Sequence, residues 1–584
     1  MTQAAQLGGS DDGSDGGSDG GLDGGEAILA ACRDVGVDVV FCSSGSEWAP
    51  VWEALARQRR DGTPGPRYID LMHETLAVAM STGYTLATGR PQLVLLHAVP
   101  GLLQGANGIH GALLTGVPMV VASAESTTYG ETGTDPGSQW YRNLSIVGGP
   151  QAVAAPFTKW STQVGDVSTA YGHFVRAAEL ARRAPAGPVY LNVPMEVLLQ
   201  PWSRPAAARP VPEPGARVSP REELERAARL LTAARRPVIV IESAGRHPGG
   251  FEALVEFAES LAIPVIEPQS AVCANFPRTH KLHRGGDATA LLAEADLIVL
   301  VCCRAPYYPP SNRPADSQVL VIDDVPHRPY IDYQVLGADQ YLEGDIAPTL
   351  RALTESVHTV GVDEELVAGR EAEVHEVAAR PKQAGAGAGV GVGTGSAEGI
   401  DPGDVVDLLR ELLDPDAAVV DETITHARTV QQRLRADRPG RYSYVQGGLG
   451  QGIGVALGVK LADPEREVAL TVGDGSFLYN PIVQSLSAAK NLDLPLLIVV
   501  FNNRQYLSMK LNHLRFYPEG VSVQTKDFRG VDLSEQPDLA ALAAPFGMLG
   551  LSLSDPEDLR PGLEKALQAV RAGTTAIVDI RVTR

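Results

Sequence analysis

Two apolar runs that each end in an oxygen-rich turn set the architecture of this chain. Val468-Ala469-Leu470-Thr471-Val472 leads into Gly473-Asp474-Gly475-Ser476. A second run, Leu496 to Phe501, ends in Asn502-Asn503, and 26 residues lie between Gly475 and Asn502. Continuous apolar runs of this length read as strands buried on both faces, which belong to parallel sheets covered by helices. Open sheets of that kind bind ligands beyond the carboxyl ends of their strands. The residue types here suit a divalent cation joined to phosphate. Mg2+ takes hard oxygen ligands in an octahedron and commonly bridges a carboxylate to phosphate oxygens. Asp474 offers the carboxylate and Asn503 an amide oxygen. Gly473 and Gly475 let backbone approach a diphosphate, and a helix N-terminus after them favours the anion. A Gly-Asp-Gly by itself is an ordinary turn; its spacing to a strand ending in Asn-Asn is far more specific.

The rest of the chain repeats the strand-helix pattern. Residues 1–25 are rich in Gly, Ser and Asp and are expected to be disordered. Residues 204–217 read as a Pro-rich linker, and 358–399 as a second linker with a Gly/Ala-rich stretch over 381–399. Three segments remain: 26–203, 218–357 and 400–584. The first carries VDVVF, QLVLLH, PMVVAS and PVYLNV. The second carries PVIVIES, IPVIEP, DLIVLVC and QVLVID. The third carries AAVVD, VALTVG, PLLIVVFN and AIVDIRV. Each run alternates with an amphipathic stretch, which predicts an α/β protein of three doubly wound parallel-sheet domains.

Charge and composition narrow the partners. The formal net charge is −21, which argues against nucleic acid or an anionic membrane surface. No apolar run approaches the ~20 residues of a membrane span, and no signal peptide is visible, so a cytoplasmic protein is expected. The five cysteines, Cys32, Cys42, Cys273, Cys302 and Cys303, lie mostly in apolar runs and read as buried reduced thiols.

The Gly-Asp-Gly to Asn-Asn pattern resembles the binding signature of the thiamine-diphosphate (ThDP) enzymes that include benzoylformate decarboxylase, acetolactate synthase and pyruvate decarboxylase. Among these the motifs are most similar to benzoylformate decarboxylase. Gly447-Gly448-Leu449-Gly450, followed by IGVALGVKLADPEREV and GDGS, looks like that family's segment before the motif. The resemblance implies pyrimidine-binding, central and diphosphate-binding domains in that order. It implies that Leu449 bends the cofactor and that Gly447 offers a carbonyl to its amino group. Asp474, Asn503 and the Gln505 carbonyl would hold Mg2+. Gly473, Gly475 and Ser476, with Thr423 and Thr425 of DETIT, would hold the diphosphate.

The same resemblance points to a reaction centre in the first segment. His73-Glu74, followed by TLAVAMSTGYTLATGRP, is similar to the family's block carrying the glutamate that activates the aminopyrimidine. Ser46 in SSGSE matches a turn that contacts the substrate carboxylate. His97 in LLHAVPG and His280 in FPRTHKLHRG match two histidines that shuttle protons, a role imidazole suits near neutral pH. His73, His110, His283 and His426 have weaker matches. The implied activity is ThDP- and Mg2+-dependent decarboxylation of a 2-oxo acid. Protonation of the resulting enamine gives an aldehyde, and transfer to an aldehyde or ketone acceptor gives a hydroxyketone. The resemblance also implies sites between subunits of a homodimer or homotetramer.

The sequence departs from the pattern at HAVPG, at SSGSEW and after Asn503, and these changes leave the substrate open. Arg304-Ala305-Pro306-Tyr307-Tyr308-Pro309 stands where acetolactate synthases carry a flavin-binding stretch, so FAD is not expected. A flavin-linked ThDP oxidase and a non-catalytic scaffold of this fold are the alternatives.

Overall fold

The computed structural model describes residues 21–125, 139–286, 289–309, 313–314, 316–334, 337–379 and 399–583. Three all-parallel sheets follow one another along the chain. The first contains β1 (Val39–Ser43), β2 (Arg67–Leu71), β3 (Gln92–His97), β4 (Met119–Ala124), β5 (Trp160–Gln163) and β6 (Pro188–Asn192), in the order β2-β1-β3-β4-β6-β5. The second contains β7 (Pro237–Ile241), β8 (Val265–Ile266), β9 (Leu297–Val301), β10 (Gln318–Asp323) and β11 (Gln340–Glu343), in the order β11-β10-β9-β7-β8. The third contains β12 (Ala418–Glu422), β13 (Tyr442–Tyr444), β14 (Val468–Gly473), β15 (Leu497–Asn502), β16 (Leu549–Leu553) and β17 (Ala576–Arg581), in the order β13-β12-β14-β15-β17-β16. The three-domain α/β architecture expected from the strand pattern is what the chain adopts. No helix among the described residues is long and apolar enough to cross a membrane.

The inner strands are buried along their whole length, as at Val39–Ser43 and Leu497–Asn502. Apolar side chains point to both faces there, so helices must cover both sides. One apolar core is shared by the first and third sheets and joins Phe41, Leu76 and Met80 to Ile453, Val455 and Leu470. Its seam is the helix Glu74–Thr88 lying against the helix Gly452–Ala462. Glycine sets how closely the two approach: a Cβ on Gly83 would stand 2.0 Å from the Val455 carbonyl oxygen.

The second sheet is tied to the third at the edge strand β13. Ala274 donates to the Tyr442 carbonyl at 3.1 Å, and Tyr444 donates to that of Val272 at 2.8 Å. Arg278 crosses the same junction. Its Nε donates to Glu267 at 2.6 Å, its Nη1 to the Gln431 carbonyl, and its guanidinium lies 5.3 Å from the Tyr442 ring centre. Both Arg278 and Glu267 are buried.

Two boundaries differ from expectation. The chain is helical from Gly24 because Asp23 caps the helix Gly24–Val35, accepting from Gly25 and Glu26; residues 1–20 of the expected tail lie outside the described residues. The 358–399 stretch contains the helix Glu364–Ala379. Arg370 docks that helix by donating to the carbonyls of Leu261 and Leu231 at 2.9 and 2.8 Å. Of the expected Gly/Ala linker, 381–398 lies outside the described residues. All five cysteines are buried and unpaired, and burial pushes the thiols of Cys32, Cys42 and Cys273 up to about 12.

Candidate functional site

Each sheet has a switch point within it where the connections leave in opposite directions and open a crevice. In the third sheet it lies between β12 and β14, in the first between β1 and β3, and in the second between β7 and β9. Most candidate residues, though not His280, collect at the first two of these crevices, and at the third Glu242 pairs with Arg304.

In the third sheet, Asp474 follows β14 and is buried. Its Oδ1 accepts the Gly475 amide at 3.0 Å, while Oδ2 is buried without a hydrogen-bond partner. Burial raises its pKa to about 6. An orphaned buried carboxylate oxygen is costly unless something absent pairs with it. Asn503 and Gln505 are buried on the adjacent strand end, where Asn503 Oδ1 accepts the Gln505 amide at 3.0 Å. Among the described residues no group of three His, Cys, Asp or Glu could hold a metal. A carboxylate, an amide and a carbonyl could hold Mg2+ here if diphosphate oxygens complete the set. The helix after Asp474 is only Asp474–Tyr479, so it supplies little of the anion attraction expected from a helix N-terminus.

Gly447, Gly448 and Gly450 all have positive φ. The loop rests on the first domain: a Cβ on Gly447 would stand 2.2 Å from Gly111 Cα, and Asn107 donates to the Leu449 carbonyl at 3.4 Å. Leu449 is half-buried and belongs to none of the apolar cores, so it is not the core leucine its hydrophobicity alone suggests. Below the loop, Glu422 is buried and accepts from Gly450, Gln451 and Asn480. Burial raises its pKa to about 7.

Ser476 is buried beside Asp474. Thr423 departs from its expected role as a diphosphate ligand. It is fully buried, and both its amide and its hydroxyl donate to Asp421, at 2.9 and 2.6 Å, so it caps the strand end. Thr425 is half-buried. Beside it, His426 has an orphaned Nε2 and packs 5.7 Å from the Phe501 ring; burial lowers its pKa to about 4.

In the first sheet, Ser46 is exposed on the turn after β1, and His97 ends β3. His97 Nδ1 lies 2.8 Å from Glu47 Oε1, which also accepts the Ala98 amide at 3.1 Å. The Trp48 indole donates to the Leu96 carbonyl at 3.0 Å and locks the turn onto β3. Glu74 opens the helix Glu74–Thr88, with His73 as its cap. Its carboxylate lies over Gly101, where an added Cβ would be 3.1 Å from Oε1. Ser46, Glu74 and His97 therefore share one crevice.

His280 does not join them within the chain. Its Nε2 lies 3.0 Å from Glu259 and its ring packs against Phe276, both in the second domain. His283 pairs with Glu267, and His110 is exposed. At the β7–β9 crevice of the second sheet Glu242 accepts the Arg304 amide at 2.9 Å and pairs with its guanidinium. A cavity of about 780 Å3 where the three domains meet is lined by Arg246, Arg466 and Tyr442 and by none of the candidate residues.

Sequence reasoning missed Glu47, Glu125 and Glu422. The signal for Glu125 and Glu422 was an acid at the carboxyl end of an apolar strand, the same signal that found Asp474. Glu47 had none, because a charged residue in a turn ordinarily faces water.

Three family descriptions match in succession: "Thiamine pyrophosphate enzyme, N-terminal TPP binding domain" over residues 22–144, the central domain over 224–353, and the C-terminal TPP binding domain over 424–580. Thiamine pyrophosphate is another name for thiamine diphosphate. The chain is 27% identical to acetolactate synthase isozyme 3 large subunit of Escherichia coli, covering 95% of this chain and 94% of that one. It is 28% identical to benzoylformate decarboxylase of Pseudomonas aeruginosa, covering 92% and 95%. Among solved structures, a putative thiamin diphosphate-dependent enzyme from Mycobacterium smegmatis superposes with a TM-score of 0.75 at 25% identity, covering 96% of this chain and 99% of that one.

Proposed function

We propose that this chain, which belongs to the thiamine pyrophosphate enzyme family, catalyses ThDP- and Mg2+-dependent decarboxylation of a 2-oxo acid. The observation that carries this reading is the orphaned, buried Oδ2 of Asp474 beside Asn503 and Gln505 at adjoining strand ends. These three would hold the metal, with Gly473, Gly475, Ser476 and Thr425 around the diphosphate and Gly447 and Leu449 around the rings. Bound ThDP supplies the carbon nucleophile and the electron sink that makes loss of CO2 possible. The protein's part is positioning and proton handling. Glu74 would hold a proton at the aminopyrimidine, Ser46 would seat the substrate carboxylate, and His97 would move a proton at the reacting carbon or oxygen. The carbon left by CO2 is then protonated or joined to an acceptor carbonyl. The likeness to benzoylformate decarboxylase suits the first fate and the likeness to acetolactate synthase the second.

A site shared between two copies fits the helix Ala98–Thr115. Glu74 lies over Gly101, whereas Gly447 of the same chain rests on Gly111, ten residues farther along. That separation is about 15 Å at 1.5 Å per residue. Glu74 therefore serves the cofactor of a second copy in this reading, which makes a dimer the least active unit. His280 would act only if that assembly brings it to the site.

A screen of 2-oxo acids with and without aldehyde acceptors tests the proposal, with CO2 release and product mass as readouts. Release that requires both ThDP and Mg2+ is the expected result. No release from any 2-oxo acid would overturn it, and flavin absorbance in the purified protein would favour the oxidase alternative.

A further inference from the structure

His97 has a third of its side chain exposed, while Glu47, bonded to its Nδ1, has none. The free edge of the ring is therefore the Nε2 edge. As a carboxylate Glu47 can only accept, so the proton it receives sits on Nδ1. Nε2 is then either a bare base or, in the imidazolium, a second N–H.

The surroundings favour the imidazolium. Three carboxyl groups face His97 from three elements: Glu47 after β1, Glu74 at the start of its helix after β2, and Glu125 after β4. The Glu47 hydrogen bond raises the His97 pKa above its ordinary value against the opposing effect of burial. Glu125 is held near neutrality, since burial raises its pKa to about 7.

The backbone is shaped around this pair. A Cβ on Gly45 would stand 2.2 Å from both His97 Nδ1 and Glu47 Oε1, so only glycine leaves room for the contact. Ala98 has φ +44, in the left-handed region that L-residues avoid, and its amide is turned onto the same Glu47 oxygen. One buried carboxylate thus fixes both the ring and the strained corner beneath it.

We propose that Glu47 is a positioning residue that holds His97 as a proton donor facing the substrate, so that the carbon left by CO2 is protonated to an aldehyde rather than joined to an acceptor. The inference rests on the 2-oxo-acid decarboxylase reading. The electron pair released with CO2 takes the Nε2 proton, His97 becomes a neutral imidazole that keeps its Nδ1 proton and still donates it to Glu47, and a proton from solvent returns to Nε2. The net change is one 2-oxo acid anion and one proton converted to aldehyde and CO2.

Histidine-selective 15N NMR on the full chain tests the pair without using turnover, with His97→Gln assigning the signal. In Glu47→Gln the proton affinity of His97 should fall by about tenfold or more, the effect of removing an adjacent opposite charge. With ThDP, Mg2+, benzoylformate as donor and acetaldehyde as acceptor, the aldehyde-to-hydroxyketone ratio should fall at least about fivefold in Glu47→Gln. The ratio should fall as far in His97→Gln, with no further fall in the double variant. His97→Gln keeps the test open if Glu47→Gln does not fold. An unchanged His97 midpoint, or a product ratio unchanged in both single variants, overturns the inference. The two failures separate: absence of CO2 release by the wild type from every 2-oxo acid of the screen defeats the decarboxylase reading and the donor role with it, whereas normal release with an unchanged midpoint defeats the inference alone.

Discussion

Glu422 Oε1 accepts the Gln451 amide at 2.8 Å, and so joins the end of β12 to the glycine loop above it. The same oxygen takes the Gly450 amide at 2.9 Å, and Oε2 takes Asn480 at 2.9 Å. The loop that carries Leu449 is held open by a carboxylate that no solvent reaches.

Removing that carboxylate leaves the buried Gly450 and Gln451 amides unpaired and leaves Asn480 only its bond to the Ser476 carbonyl. Glu422→Ala is expected to lower stability by about 3–5 kcal/mol, measured as a shift of the urea midpoint. Glu422→Gln should cost less, since its carbonyl still accepts, although its amide opposes that of Asn480. A loss below about 1 kcal/mol in the alanine variant would show that the donors find other partners.

Asp474→Ala should weaken Mg2+-dependent ThDP binding by at least about 100-fold, because a direct ligand matters at least as much as the groups behind it. Calorimetry with and without Mg2+ measures this. Unchanged affinity would mean that the orphaned oxygen serves another purpose.

Glu74→Gln should keep ThDP affinity within about threefold and lower the rate of CO2 release by about 100- to 10,000-fold, the range of a lost acid-base group. Turnover near the wild-type rate removes Glu74 from the mechanism.

Gly447→Ala places a side chain at φ +97 and a Cβ 2.2 Å from the Gly111 backbone. Neither can be relieved by rotating a neighbouring side chain. We expect a loss of about 2–4 kcal/mol in stability and weaker ThDP binding, read by thermal melting and calorimetry. A variant with wild-type melting and affinity would show that the loop can shift without cost.

Burial alone would raise the pKa of Glu267, but Arg278 and His283 overcome it and lower it to about 2. A carboxyl lowered in the folded state adds stability above its unfolded value, near 4.3 in model peptides, and loses it as pH falls toward 2. Stability should therefore decline over this acid window, and Glu267→Gln should flatten the decline. At neutral pH the same variant should cost on the order of 3 kcal/mol by leaving Arg278 buried without its partner. An unaltered acid slope in urea titrations would exclude the pair as its source.

Much of this was legible locally. The inner strands were found because a strand with neighbours on both sides and helices on both faces is apolar throughout, as β14 and β15 are. The strands that were missed, β2, β5, β11, β13 and β16, all lie at sheet edges. They are only partly buried, as in Trp160–Gln163 and Leu549–Leu553, so no continuous apolar run marks them. The β8 edge was found because its two residues are both buried.

The sequence by itself determined the three sheets, the oxygen-bearing strand ends at Asp474 and Asn503, and the candidates Glu74, Ser46 and His97. The sheets and strand ends depend on residue type and short spacing, and the three candidates on the resemblance of their segments to the family's motifs. Only the tertiary structure decided that Glu47 lies behind His97, that Thr423 caps a strand instead of facing outward, and that His280 stays with Glu259. It also decided that Glu74 and Gly447 of one chain stand at different points along the same helix. Each of these follows from which strand ends and loops become neighbours in space, and such contacts between distant segments leave no periodic trace in the chain.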